Sequence, residues 1–457
     1  MSGSLDERRF QQLRDSFSGP LLRPGDEGYD DARHVYNGLI DARPSVIAPC
    51  RETDDIVRAV AFARDGGFEI SVRGGGHGVA GRAVTDGGVM IDLSLMKEIE
   101  VDPEARTVRA GGGVTWREFN DATAEFGLAT TGGFVSTTGI AGLTFGGGFG
   151  YLMGRYGLAA DNLVSVELVN ADGEVRTASA DDHPDLFWAV RGAGANFGVG
   201  ATLEYRLHPL TDVVGGLVAH PFDAAGDLFR YFREFTAPSS DDLGAFAGLV
   251  HAPDGSGALL AAVVVCHAGD GAAAEAELKP LLDFGSPAIS QVGPMPYPVV
   301  NTMFDEAYPA GLLNYWKSSF MTELSDDAID AMIDLFPSCP STMTSLAVEH
   351  HHGASTRVAV ADTAVPHRDA GYNFLLTSVW TDQATSEENV AWTRSTYAAM
   401  EPYVAARRYV NYLSGDDAAA PGMVIYGPNY DRLAELKARY DPDNVFHLNQ
   451  NIEPGGR

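Results

Sequence analysis

The chain has 457 residues, too long for one ordinary hydrophobic core, and its 45% hydrophobic content with 52 glycines and 24 prolines describes a soluble, turn-rich globular protein of two or more domains. With 62 acidic against 32 basic residues the formal net charge is −30, a surface that repels nucleic acid and anionic membranes and that reflects either coding bias with solubility or adaptation to a salty cytoplasm. Cys50, Cys266 and Cys339 include no C-x-x-C pair, which excludes a disulfide framework and a zinc site, and the longest strongly apolar run, Ala258 to Cys266, is too short to span a bilayer.

Residues 1–41 read as a helical lead-in, and the charged start from Met1 to Arg14, with no apolar signal region, implies a cytoplasmic protein. Residues 42–210 alternate short strands with helices. Val46 to Pro49 reads as a strand, and Thr53 is expected to cap a helix through Ala63 with acids in its first turn. Strands are expected at about 68–72, 89–93 and 106–110, and a helix from Trp116 to Glu125.

Between the second and third of these strands stands Arg73-Gly74-Gly75-Gly76-His77-Gly78, a run of bare backbone N–H groups suited to an anion, with one imidazole in its midst. Gly76, Gly78 and Gly81 satisfy G-x-G-x-x-G, yet a strand rather than a helix follows, so this is not a dinucleotide fingerprint. A glycine-rich turn with an incidental histidine is the plainer alternative. A second glycine region spans Thr130 to Gly150, at a density poor for any helix or regular strand and suited to close backbone approach to a flat ring or a phosphate. A strand from Val164 to Asn170 and another from Ala201 to Leu207 close the segment.

Residues 211–408 read as a second domain, with strands at 245–251 and 258–267 and helices near 224–235, 270–282 and 326–335. Within it, Glu349-His350-His351-His352 invites a metal hypothesis, but on a strand Glu349 and His351 share one face and His350 and His352 the other, short of a zinc set. Trp316, Tyr372, Phe374 and Trp380 furnish either a cavity wall or ordinary core. In the tail, 409–457, Asn429 is expected to begin a helix through Tyr440 carrying a Glu435/Arg439 pair, stopped by Asp441-Pro442.

These segments together resemble the berberine-bridge-enzyme-like flavoproteins of the vanillyl-alcohol-oxidase group. The stretch from Ser71 to His77 is similar to the family's flavin-attachment loop, and Gly139 to Gly150 to its central FAD segment. Asp185 to Gly194 with Asn196-Phe197-Gly198-Val199 is similar to the end of its FAD domain. Tyr409-Val410-Asn411-Tyr412, Tyr426 to Tyr430 and Asn444 to Asn451 are similar to its carboxy-terminal signature. The resemblance implies an α+β fold: a PCMH-type FAD-binding domain of two α/β subdomains, completed by the tail, plus an antiparallel sheet-and-helix substrate domain.

It also implies FAD contacts from Arg73, Gly74, Gly75, Gly76, His77, Gly78, Thr137, Gly139, Gly142, Asn162, Val199, Asn449 and Asn451. His77 would bond covalently to the flavin 8α-methyl, which raises the flavin's readiness to accept hydride; an unlinked His77 hydrogen-bonding a phosphate is the alternative. Many relatives carry a second attaching cysteine where this chain has Ala160, so a single link is expected and oligosaccharide chemistry is disfavoured. The implied activity is hydride removal from a CH–OH or CH–N group of a small molecule to flavin N5, with O2 reduced to H2O2. Alternatives are a dehydrogenase with another acceptor, oxidative bond formation, and a glycine-rich binding protein without flavin. Ile140 lies in the loop that bears on oxygen access. Tyr412, Glu349 and His351 are the candidate catalytic residues, as base, orienter or cation partner, set against packed or structurally paired roles for each.

Overall fold

A computed structural model describes residues 6–419 and 422–455; the first five residues of the charged start and the last two of the tail lie outside them. The lead-in helix Glu7–Ser16 is capped by the Asp6 carboxylate, which accepts from the Arg8 N–H at 2.8 Å. It lays Phe10 and Leu13 against the helix Thr53–Gly66. Thr53 is not the cap of that helix. It is the first helical residue, and its hydroxyl donates to Glu167 at 2.7 Å, while Glu52 occupies the cap position without a side-chain bond.

Strands β1 (Val46–Pro49), β2 (Ile70–Arg73) and β3 (Val89–Asp92) form a parallel sheet in the order β1-β3-β2. The Gly74–Gly78 loop leaves the carboxyl end of β2, the edge at which parallel sheets present ligand sites. A five-stranded antiparallel sheet follows, built from β4 (Ile99–Asp102), β5 (Thr107–Gly111), β7 (Leu163–Val169), β8 (Val175–Ser179) and β9 (Val199–Arg206) in the order β4-β5-β9-β7-β8; β6 (Leu128–Ala129) pairs separately with β10 (His208–Pro209). The helix Trp116–Ala124 starts with a capping box between Thr115 and Glu118. The second glycine region holds a short helix after all, Ile140–Phe145, because Ile140, Ala141 and Phe145 are apolar on its buried side. Ile140 lies in this core.

Strands β11 (Asp212–Pro221), β12 (Leu243–His251), β13 (Leu259–His267), β14 (Ile289–Pro296), β15 (Leu313–Met321), β16 (Ser345–His351) and β17 (Gly371–Trp380) make an antiparallel sheet in the order β14-β11-β13-β12-β16-β17-β15. Beyond β12, β13 and the segment of β16 weighed as a strand, the other four, β11, β14, β15 and β17, were not among the expected strands; their mixed sequences lack the alternation that marks a half-exposed strand. Side chains alternate across this sheet. Ala245, Ala247, Val263, Val348 and Phe374 pack under helices Ala225–Thr236, Gly271–Leu282, Asp326–Leu335 and Ser386–Met400. Phe246, Gly248, Ala262, Ala347 and Glu349 face the other way, toward the glycine loops. The expected α+β class holds.

The tail runs back to the glycine half. Its helix spans Tyr430–Tyr440 with Asn429 at the cap position. The expected Glu435/Arg439 pair is replaced: Arg439 bonds Asp185 on a neighbouring helix. Lys437, wholly buried, donates to Asn196 O at 2.7 Å, Asp441 at 2.7 Å and Phe446 O at 3.0 Å, which fastens the tail under the turn at Asn196. No described helix is long and apolar enough to cross a membrane.

Candidate functional site

A cavity of about 590 Å³ lies between the two glycine regions and the uncovered face of the seven-stranded sheet. Its floor comes from Gly74 to Gly78, Gly139, Gly142 and Asn449. The two glycine loops touch: a Cβ on Gly75 would fall 2.4 Å from Gly139 N, and one on Gly139 would fall 2.3 Å from Gly75 N. No other residue type permits that approach. Gly142 and Gly78 differ, since a Cβ on either would meet nothing within 4 Å. There the bare backbone faces open space.

His77 stands in this floor with its ring stacked on Tyr36, centroids 3.8 Å apart and planes at 16°. Its Nε2 is buried with no hydrogen-bond partner among the described residues. Burial pushes the imidazole down to about 4, so it is neutral at physiological pH and its lone pair is available. Arg82, a residue without sequence signal, is the cationic side chain among the described residues lining the cavity; it donates to Leu448 O at 2.6 Å and also to Asn449 O, tying the tail to the loop. An orphaned neutral imidazole, open glycine backbone and one half-buried guanidinium fit a ligand with a flat ring and phosphates, as FAD has.

The roof carries a buried carboxyl group and its hydrogen-bond partners. Glu349, on β16 and only 4% exposed, accepts a hydrogen bond from the Tyr412 hydroxyl at 2.9 Å and one from the Asn373 amide at 2.7 Å. Burial drives its pKa up to about 7, against the opposing pull of those two donors. The Tyr412 hydroxyl is held well above its ordinary pKa, first by burial and then by the neighbouring carboxylate. Glu349 is therefore a buried carboxyl group whose ionisation is shifted toward neutrality, and the Tyr412 hydroxyl is hydrogen-bonded to it. Tyr412 reaches this point because its neighbours are pinned: the Tyr409 hydroxyl accepts from Gly148 N–H at 2.9 Å and Phe149 N–H at 3.1 Å, and Asn411 donates to Leu143 O at 3.0 Å. Both residues thus brace the second glycine region.

Other walls are aromatic. Trp316 stands 6.1 Å from Tyr412 and 6.3 Å from Tyr308, edge to face in both cases. Tyr308, Ser345 and Thr377 form a hydroxyl cluster on the same wall, with Ser345 to Thr377 at 2.6 Å and Tyr308 to Ser345 at 3.0 Å. Of the other aromatics singled out in the sequence, Tyr372 and Phe374 pack on the helix side and Trp380 joins Leu313 and Tyr315.

Several expected contact residues lie elsewhere. His351 packs on Phe149, centroids 5.2 Å apart, beyond the cavity lining, because β16 ends there over the second glycine region. Arg73 turns away from the cavity and grips Asp92 bidentately, donating from Nη2 at 2.5 Å and Nε at 2.9 Å, bracing the base of its loop. Asn162 holds its own turn by donating to Tyr156 O and Leu158 O, both at 2.9 Å. Val199 is buried opposite Val169, Thr137 is exposed, and Asn451 donates to Glu453 at 2.9 Å. Ala160 is fully buried, a methyl with no thiol to offer. Tyr36, Arg82, Asn373 and the hydroxyl cluster went unread; none stands in a motif, and only the fold assembles them.

The described family pattern "FAD binding domain" matches residues 44–179 and "Berberine and berberine like" matches 408–453. The chain is 32% identical to (R)-6-hydroxynicotine oxidase of Paenarthrobacter nicotinovorans, across 96% of this chain and 98% of that one. The crystal structure of 6-hydroxy-D-nicotine oxidase from Arthrobacter nicotinovorans superposes with a TM-score of 0.87 at 30% identity, covering 96% and 98% of the two chains. Berberine bridge enzyme from Eschscholzia californica shares the fold with a TM-score of 0.87 at 21% identity, covering 98% and 99%. Such likeness along nearly the whole length decides the relationship: the chain belongs to the berberine-bridge-enzyme-like FAD-linked oxidoreductases of the vanillyl-alcohol-oxidase group, and it is an enzyme of that kind.

Proposed function

We propose that this oxidoreductase oxidises a CH–N or CH–OH group of a small, largely apolar molecule, with FAD, joined to the protein through His77 alone, taking the hydride and passing the electrons to O2 as H2O2. The observation that carries the reading is the Glu349 carboxylate, buried opposite the glycine floor and hydrogen-bonded by Tyr412 and Asn373, its pKa pushed by burial up to about 7. Glu349 receives the proton released from the substrate heteroatom, or as a carboxylate holds an amine in place; Tyr412 and Asn373 fix its two oxygens so that it needs no reorganisation. The aromatic walls of Phe246, Phe304 and Trp316 favour an aryl or alkyl amine or carbinol over an oligosaccharide, of whose many hydroxyls the Tyr308, Ser345 and Thr377 cluster pairs few. The similarity to a hydroxynicotine oxidase supports the amine side of this choice.

Acid precipitation tests the link, with yellow colour staying in the pellet and lost from it in His77→Ala. Anaerobic bleaching by a panel of aryl amines and carbinols, followed by peroxide detection on admitting air, tests the reaction. Flavin released wholly to the supernatant sinks the His77 attachment. Bleaching without peroxide on reoxidation replaces the oxidase with a dehydrogenase.

A further inference from the structure

Tyr36 belongs to the lead-in and to no motif, yet its ring stacks directly on that of His77. Its ring covers one face of the imidazole at 3.8 Å and 16°, and it also stands edge to face with Trp316, centroids 6.5 Å apart. Its backbone is strapped on both sides. The Tyr36 N–H donates to Gly76 O at 3.0 Å, and Tyr36 O accepts from Gly311 N–H at 2.8 Å. Asn37 donates from one amide group to Val79 O at 2.8 Å and Asn314 O at 2.9 Å, and the Gly38 N–H donates to Leu312 O at 2.8 Å. Three consecutive residues therefore fasten the attachment loop, before and after His77, to the start of β15. The Tyr36 hydroxyl is itself buried without a hydrogen-bond partner among the described residues. What Tyr36 offers is its ring face.

We infer that Tyr36 is a positioning residue for covalent joining of FAD: its stacked ring holds the His77 imidazole in one plane within the cavity floor. The inference rests on the reading that His77 carries the flavin. Joining forms one C–N bond, and it removes one hydrogen from the imidazole N–H and one from a methyl carbon of the FAD ring system. The two protons and two electrons end on O2 as H2O2, so air is the oxidant. An imidazole free to rotate about its side-chain bonds would visit the productive orientation rarely, whereas a stacked one stays there, and orientation of this kind is worth orders of magnitude in rate.

The test follows attachment and leaves turnover aside. Flavin-free wild type, Tyr36→Phe, Tyr36→Leu and Tyr36→Ala are incubated with FAD in air. Non-covalent binding is read by quenching of flavin fluorescence, and covalent flavin by in-gel fluorescence after denaturation. The expected result is attachment at the wild-type rate in Tyr36→Phe, and attachment about tenfold slower or worse in the Leu and Ala variants despite bound FAD. Wild-type rates in Leu and Ala overturn the inference. So does a slow Phe variant, which would make the hydroxyl the active part, and so does loss of non-covalent binding in Leu and Ala, which would make Tyr36 a binding residue. Absence of covalent flavin in wild type, or its persistence in His77→Ala, instead refutes the attachment reading on which the inference stands.

Discussion

Glu349→Gln separates the electrostatic account of the site from a merely steric one. The substitution keeps size and shape. Its amide accepts one hydrogen bond where the carboxylate accepts two, and a flip of Asn373, whose Oδ1 is otherwise unpartnered among the described residues, turns an acceptor toward the new N–H. The carboxylate's pKa moves from 4.5 in the unfolded chain to about 7 in the fold. At about 1.4 kcal/mol for each tenfold change, ionised Glu349 costs the folded state about 3 kcal/mol. The folded protein holds this proton more tightly than the unfolded chain. The cost is therefore absent below pH 4.5, grows through the interval, and is complete above about 7. Melting of Glu349→Gln and wild type compared across pH should coincide at the acid end and diverge as pH rises, the variant becoming the more stable. With any substrate that bleaches the flavin, the variant should reduce it about 10²–10⁴-fold more slowly, and the wild-type rise in rate through neutral pH should vanish. A stability difference independent of pH, or reduction within threefold of wild type, would refute the placement of the proton on Glu349.

His77→Ala should retain the fold and lose covalent flavin, visible as a colourless acid pellet, since the imidazole makes no hydrogen bond through Nε2 that folding depends on. Gly75→Ala and Gly142→Ala should part company: the first drives a methyl into Gly139 N and costs about 1–3 kcal/mol or more in the melt of flavin-free protein, while the second melts normally and weakens FAD binding in a fluorescence titration. Equal melting temperatures for the two would contradict the glycine geometry. Lys437→Met should cost about 3 kcal/mol by denaturant titration, because it strips a buried cation from Asp441 and two carbonyls; a loss under about 0.5 kcal/mol would mean the tail is held by packing alone.

The parallel strands, the first glycine loop and the tail signature were legible because each is a local pattern: short apolar runs broken by glycine, or a motif read in order. Four strands of the large sheet were not: β15 and β17 are buried on both faces and show no polar alternation, β14 is an edge strand interrupted by Pro294 and Pro296, and β11 is interrupted by Gly215 and Gly216. Thr53 reads as a cap, yet tertiary contact with Glu167 draws its hydroxyl elsewhere. Glu349 and Tyr412 were each picked out from their own segments, 63 positions apart, but the 2.9 Å bond that joins them depends on the tail folding back beneath β16. His351 shares the sheet face of Glu349 by sequence parity and still misses the cavity, because parity says nothing of where a strand ends. Arg82, Asn373 and Tyr36 acquire their places through contacts with partners distant in the chain, which no residue spacing encodes. Sequence alone determined the bare glycine backbone, the lone imidazole within it, the missing second thiol at Ala160 and the family. Only the tertiary structure decided which carboxylate is stripped of water and which ring holds the histidine, because desolvation and stacking are properties of the assembled neighbours.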